Sequence, residues 1–308
     1  RNIDNIKRRN RLIRLEDASI KTAAELDLGG WVRDDNYDGL VLKPISVARF
    51  GQPYLWSHAE NWLNMSATII SSEQMSRDIG AGDWSQLTVS VPMTFPVENR
   101  IINFAPIADM SRTGEEEGGW EVCLTGICNL LNMHPGERIV IHAVSYRLTK
   151  FITEGIAAEI AKGTVKRRKI ISYTSSAMRE AAIARYRRTE GAVIVAPSLD
   201  RGVDFKGDDC RVQIIAKVPY PYLGDKQIKA RMNLEDGQQW YTVRTIRDLV
   251  QMTGRGVRSE TDYCTTNILD RGFGRLFDMN KRLIPAWWRE AVNQRFNSRP
   301  LKAKLEVQ

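Results

Sequence analysis

From residue 139 onward the chain alternates between two textures. Short apolar runs rich in Val and Ile stand at 139–144 (IVIHAV), 169–173 (KIISY), 192–196 (AVIVA), 211–218 (RVQIIAKV) and 265–269 (TTNIL). Runs this short and this continuously apolar are what strands buried on both faces require. Between most of them lie longer stretches with helical patterning, such as SYRLTKFITEGIAAEIAKG at 145–163 and SAMREAAIARYRRT at 176–189. The rhythm is βαβ, so the fold class is α/β, a parallel sheet with helices on both faces.

Upstream of residue 84 the texture differs. A basic helical stretch comes first, followed by DGLVLKPISVARF (38–50) and ENWLNMSATII (60–70), which read as two strands of a separate sheet. PVENR at 96–100 reads as an entry to the second domain, and PGE at 135–137 as a turn into a strand. At 308 residues the chain can hold one large or two unequal domains. The division expected is 1–83 and 84–308. There is no internal repeat, and the acidic GEEEGG at 114–119 is too short to be a tail.

Composition narrows the function classes. Hydrophobic content of 43% and charged content of 27% exclude disorder, and no apolar run approaches a membrane span. The first residues are basic but lack the apolar core of a secretory signal, so the expectation is a cytoplasmic protein. A net charge of +8, with clusters at Lys7, Arg8, Arg9, Arg11, Arg14 and at Lys166, Arg167, Arg168, Lys169, favours a polyanionic partner. Cys123, Cys128, Cys210 and Cys264 form no C-x-x-C pair, and no two histidines have ligand spacing, so reduced thiols and no metal site are expected.

The segment QMTGRGVRSETDYCTTNILDRGF at 251–273 carries the most pointed chemistry. Gln251, Arg255 and Arg258 stand at i, i+4, i+7, one stripe of a helix, with Ile246, Leu249, Val250 and Thr253 on the opposite stripe. Gly254 and Gly256 weaken a helix but let backbone come close. Two planar guanidiniums on one stripe suit a polyphosphate, and the plainer alternative is a solvated basic helix end.

In an open α/β sheet ligands sit beyond the carboxyl ends of the strands, which draws attention to two further segments. After AVIVA, Gly202 permits a tight turn and Asp204 offers a carboxylate for a ribose hydroxyl or an arginine; an ordinary surface turn is the alternative. After IVIHAV come Ser145, Tyr146 and Arg147, a hydroxyl, an aromatic and a guanidinium suited to a phosphate and a base. A helix N-cap followed by core and surface residues explains them equally well.

Taken in order, NMSATI, GERIVIHAVSYRL, APSLDRGVDFKGDDCRVQIIAKVPYP and QMTGRGVRSETDYCTTNILDRGF resemble the later motifs of superfamily 2 helicases of the XPD/DinG (Rad3-like) group, over about residues 40 to 290. The resemblance implies a RecA-like second motor lobe of P-loop-NTPase type, closing over ATP held mainly by a first lobe. Carried across residue by residue, it places Gln251, Gly254, Gly202 and Asp204 at the nucleotide and makes Arg255 and Arg258 arginine fingers. Ser66, Ala67 and Thr68 match the S-A-T motif that couples hydrolysis to movement. Ser145, Tyr146, Arg147 and Ser198 would approach single-stranded DNA.

The departures matter equally. No G-x-x-x-x-G-K-[ST] phosphate loop and no D-E-x-H stretch is present, and the cysteines lack the iron-sulfur spacing. Where relatives often read D-x-R-F, the chain has Asp270, Arg271, Gly272, Phe273, so no role is carried to that arginine. The resemblance therefore implies a C-terminal portion of a DNA helicase: residues 1–83 as a remnant of the first lobe, with part of an arch insertion, and 84–308 as the second lobe. ATP and Mg2+ would bind only together with the first lobe, no iron-sulfur cluster is expected, and this portion alone would be inactive. The competing class is a non-catalytic nucleic-acid-binding or partner-docking module derived from such a lobe. A nuclease lacks support, because no carboxylate cluster suits two metals.

Overall fold

The computed structural model describes residues 2–27, 29–34, 41–197, 199 and 203–293. The chain forms two compact units, each built from separate stretches: 1–65, 72–86 and 221–242 in one, and 66–71, 87–220 and 243–308 in the other.

The larger unit is built on a seven-stranded sheet. Its strands are β3 (Ile102–Ala108), β4 (Ile139–His142), β5 (Ile170–Ser172), β6 (Val193–Ala196), β7 (Val212–Ile215), β8 (Thr265–Asp270) and β9 (Val292–Asn293), numbered after the two of the smaller unit. Their order is β5-β6-β4-β7-β8-β3-β9, and every pairing is parallel. The five apolar runs of the sequence are five of these strands. β3 and β9 escape the pattern because β3 contains Pro106, where its register with β8 shifts, and β9 has two residues.

Alternation along the central strands feeds two cores. Ile139, Ile141, Val193, Val195, Val212 and Ile214 face the helices Gly119–Met133 and Tyr146–Lys162, whose Ile127, Leu131, Leu148, Ile152 and Ile156 are fully buried. Val140, Ile194 and Ala196 face the other way, onto Ile183 and Tyr186 of the helix Arg179–Arg188. Burial on both sides is why these strands are apolar apart from His142 in β4 and Gln213 in β7. Each buried Val, Leu or Ile among them contributes about 1.5–3 kcal/mol.

The smaller unit holds the helix Asn2–Asp27 and an antiparallel pair, β1 (Trp31–Asp34) and β2 (Val41–Pro44). Three differences from the sequence reading fall here. The run 48–54 is a helix, and 60–70 forms no strand: Leu63 and Met65 are more than four-fifths exposed, with no neighbouring strand to pair with among the described residues. The cut at 83/84 falls inside the piece 72–86, and 221–242 packs with this unit. A buried charge cluster explains that packing. Arg231, 5% exposed, forks onto Asp236 at 2.5 and 2.6 Å and reaches Asp78 at 2.9 Å, while Gln74 donates to Asp236 at 2.7 Å. Local periodicity carries no trace of such pairings.

Candidate functional site

The helix Gly237–Thr253 buries Ile246, Leu249 and Val250, as its spacing requires, and then stops. Arg255 and Arg258 therefore do not share a helical stripe with Gln251; they lie in the irregular turn that leads to β8. Gly256 shapes the turn that follows. A side chain on Gly256 would lie 2.3 Å from Cys264 Sγ and 2.5 Å from its Cβ, so the turn is pressed onto the start of β8 at a distance only glycine allows. Gly254 has no such constraint.

The turn nevertheless delivers all three side chains to one place. An open cavity of about 400 Å³ is lined by Gln251, Gly254, Arg255 and Arg258 together with Ser66, Ala67 and Thr68. Gln251 Nε2 donates to Thr68 Oγ1 at 2.8 Å, while its buried Oε1 has no hydrogen-bond partner among the described residues. Asp204 gathers the arginines: it pairs with Arg258 and lies 3.7 Å from Arg255, whose Nη1 also donates to Val203 O at 3.0 Å. Arg100 lines the cavity too, but its guanidinium is engaged by Phe95 O, Trp287 O and Glu290. Ser198 and Gly202 lie outside the described residues.

The cavity is not where the rule of carboxyl strand ends placed it. Ile102, which opens β3, and Ala291, which precedes β9, line it, so it lies at the amino edge of the sheet. The loop after β6 runs back to this edge, bringing Asp204 within reach of Arg187, which donates to its carbonyl at 2.6 Å. Asp262, which the sequence reading left aside, is a second organiser. It is 8% exposed and accepts from Arg258 N at 3.2 Å, Gly207 N at 3.4 Å and Arg211 Nη1 at 2.8 Å, tying the arginine turn to the Asp204 loop. Its signal was the acidic residue closing a turn that opens with two arginines.

Ser145, Tyr146 and Arg147 stand at the opposite, carboxyl edge, where the chain leaves β4 for one side of the sheet and β7 for the other. Ser145 is the helix N-cap, its hydroxyl accepting from Leu148 N at 3.2 Å. Tyr146 is exposed, with Tyr173 edge-on at 6.3 Å. Arg147 pairs with Glu115 and lies 4.6 Å over the Trp120 ring. Beside them the Lys217 ammonium is half-buried, and desolvation lowers its pKa against the opposing pull of Asp270. Burial in turn raises the Asp270 pKa, opposed by the amides of Val218 and Gly272 that it accepts at 2.9 and 2.8 Å. Asp270 thus latches the loops after β7 and β8.

The basic clusters divide as well. Residues 4–20 of the first helix are all exposed, as are Lys166, Arg167 and Lys169. Arg168 is a staple, donating to the carbonyls of Gly191 at 2.8 and 3.0 Å, His134 at 3.0 Å and Leu131 at 3.3 Å. The four cysteines are buried, and Cys210 and Cys264 lie with sulfurs 3.8 Å apart. No group of three metal-ligating side chains converges among the described residues, and no described helix is long and apolar enough to cross a membrane.

A profile described as the helicase C-terminal domain matches residues 127–291, more than half of the chain. The chain belongs to the helicase C-terminal domain family. Its fold is that of two solved XPD structures: an XPD helicase, with a TM-score of 0.57 at 16% identity, and an apo XPD, with 0.56 at 16%. These cover 87% and 88% of this chain, which spans 47% and 54% of theirs. Among curated relatives, the Fanconi anemia group J protein homolog of Gallus gallus is 26% identical over 123 residues, covering 35% of this chain and 10% of that protein. The regulator of telomere elongation helicase 1 homolog of Caenorhabditis briggsae is 23% identical over 153 residues, covering 42% and 15%. Profile, fold and relatives together bear out the Rad3-like resemblance of the motifs.

Proposed function

We propose that this chain is the C-terminal portion of an ATP-dependent DNA helicase that moves along single strands, with Arg255 and Arg258 completing an ATP site shared with a first lobe. The observation that carries the reading is the cavity itself. Residues from two distant parts of the sequence, Ser66–Thr68 and Gln251–Arg258, line it together, and the Gln251–Thr68 hydrogen bond joins them.

Its chemistry fits a triphosphate. Two guanidiniums supply planar paired donors for phosphoryl oxygens, and the unpartnered Oε1 of Gln251 is an acceptor suited to a water proton. Asp204 contacts both arginines, so a bound phosphate has to compete with one carboxylate. No group of three metal-ligating side chains converges among the described residues, and this reading assigns the magnesium to the first lobe. At the carboxyl edge Tyr146 offers a ring for a base and Arg147 a charge for a phosphate.

The test compares the chain alone with the protein carrying both lobes. The chain alone is expected to show no ATP turnover with or without single-stranded DNA, and the two-lobed protein a turnover that DNA stimulates. Turnover by the isolated chain would overturn the shared site. A two-lobed protein with DNA affinity but no turnover would favour the docking module.

A further inference from the structure

Thr253, the last residue of its helix, is held from two sides. Trp288 Nε1 donates to its hydroxyl at 2.7 Å, and the side chain of Gln213 donates to its carbonyl at 3.1 Å. Helix-terminal carbonyls lack intrahelical donors, so Gln213 acts as a C-terminal cap supplied from β7. The residues that follow are Gly254 and Arg255, so this cap fixes the point from which the arginine turn hangs. Gln213 also touches the turn further on: a side chain on Gly256 would meet its Nε2 at 3.2 Å.

Gln213 is in turn oriented from β4. Its Oε1 lies 3.1 Å from His142 Nε2, and both side chains are fully buried. A carboxamide that must donate to Thr253 O presents its oxygen toward His142, so the histidine fixes which way the amide lies. His142 ends β4. Two residues on, Val144 has φ of 64°, a left-handed conformation that costs a β-branched residue about 1–2 kcal/mol. Ser145, Tyr146 and Arg147 follow at once. A strained joint thus separates the buried histidine from the carboxyl edge, and its relaxed alternative would swing the Ser145 cap relative to His142.

We infer that the Gln213–His142 pair is a positioning link through which the carboxyl edge sets the placement of the arginine turn. The inference rests on the functional reading above and adds a means of regulation: nucleic acid seated on Tyr146 and Arg147 biases the Val144 joint, β4 carries the shift to His142, and Gln213 passes it to Thr253 and the turn. Neither Gln213 nor His142 touches nucleotide or nucleic acid in this scheme. Its support is the strained backbone at Val144 at one end and the Gln213 cap on Thr253 at the other.

The test measures ATP turnover of the two-lobed protein with and without single-stranded DNA for Gln213→Leu, for the double variant Gln213→Leu with His142→Leu, and for Thr266→Val. The double variant replaces both members of the pair by apolar groups, which spares the fold the penalty of an orphaned partner. Thr266→Val removes only the 3.4 Å bond from Gln213 Nε2 to Thr266 and leaves the link intact. Allosteric coupling of ordinary size corresponds to about 5–150-fold stimulation. The expectation is a stimulation ratio near one in both Gln213 variants, whatever their turnover without DNA, and a parental ratio in Thr266→Val. A merely structural pair would lower melting temperature and both turnovers together, leaving the ratio unchanged, and that result overturns the link. An unstimulated parent protein would overturn the functional reading itself.

Discussion

At the amino edge of the sheet Arg255 and Arg258 are gathered on Asp204 inside a cavity, while at the carboxyl edge Arg147 lies in the open on Trp120 and Glu115. The side chain of Arg255 is 17% exposed and that of Arg147 72%. Under the proposed function the difference separates two uses of the same group. An enclosed guanidinium with fixed partners is preorganised for a transient charge at one point, whereas an exposed one on an aromatic ring tracks a flexible polyanion in salt-screened water.

The largest effect that would break this contrast is expected at the amino edge. In the two-lobed protein Arg255→Lys and Arg258→Lys should each lower ATP turnover by roughly 10³ to 10⁵, since a point charge cannot reproduce the paired donors. DNA affinity without nucleotide should stay nearly parental. Parallel losses of turnover, affinity and melting temperature would instead mark these arginines as structural partners of Asp204.

A control for fold loss sits in the smaller unit. Arg231→Met leaves Asp236 and Asp78 without their cation and should cost about 3–5 kcal/mol, read by denaturant unfolding. Hydrogen bonding from Arg231 holds the Asp236 carboxyl at about 2, below its ordinary 3.8. The sign follows: the cluster's contribution is full above about 3.8 and is lost as pH falls from there through 2. Asp236→Asn should abolish that acid-dependent component.

Smaller effects sharpen the carboxyl edge. Tyr146→Ala should weaken single-strand binding by about 1–3 kcal/mol, and Arg147→Ala should reduce the slope of log affinity against log salt by about one. Unchanged affinity and slope in both would remove the nucleic-acid reading from this edge. Ser145→Ala should cost about 0.5–2 kcal/mol of stability through the lost cap, whether or not DNA is present.

What could be read from the sequence follows the range of the forces involved. β4 to β8 were legible because strands buried on both faces are predominantly apolar, and the helices between them because one stripe must be. The arginine stripe was misread because spacing predicts a shared face only while the helix lasts, and it ends at Thr253. The turn still brings Gln251, Arg255 and Arg258 to one cavity, although they share no helical stripe. Arg168 looked like the surface charges around it because only the fold shows which guanidinium turns inward to carbonyls. The packing of 221–242 rests on Arg231, Asp78 and Gln74, partners that no window of local pattern spans.

The central claim is that Arg255 and Arg258 leave Asp204 for the terminal phosphate of ATP. The most direct measurement is a crystal structure of the two-lobed protein with a non-hydrolysable ATP analogue. The account predicts at least one of the two guanidiniums within about 2.7–3.2 Å of a terminal phosphate oxygen, with its contact to Asp204 lengthened or lost. Bound analogue with both arginines still on Asp204 and out of reach of the phosphate would contradict it.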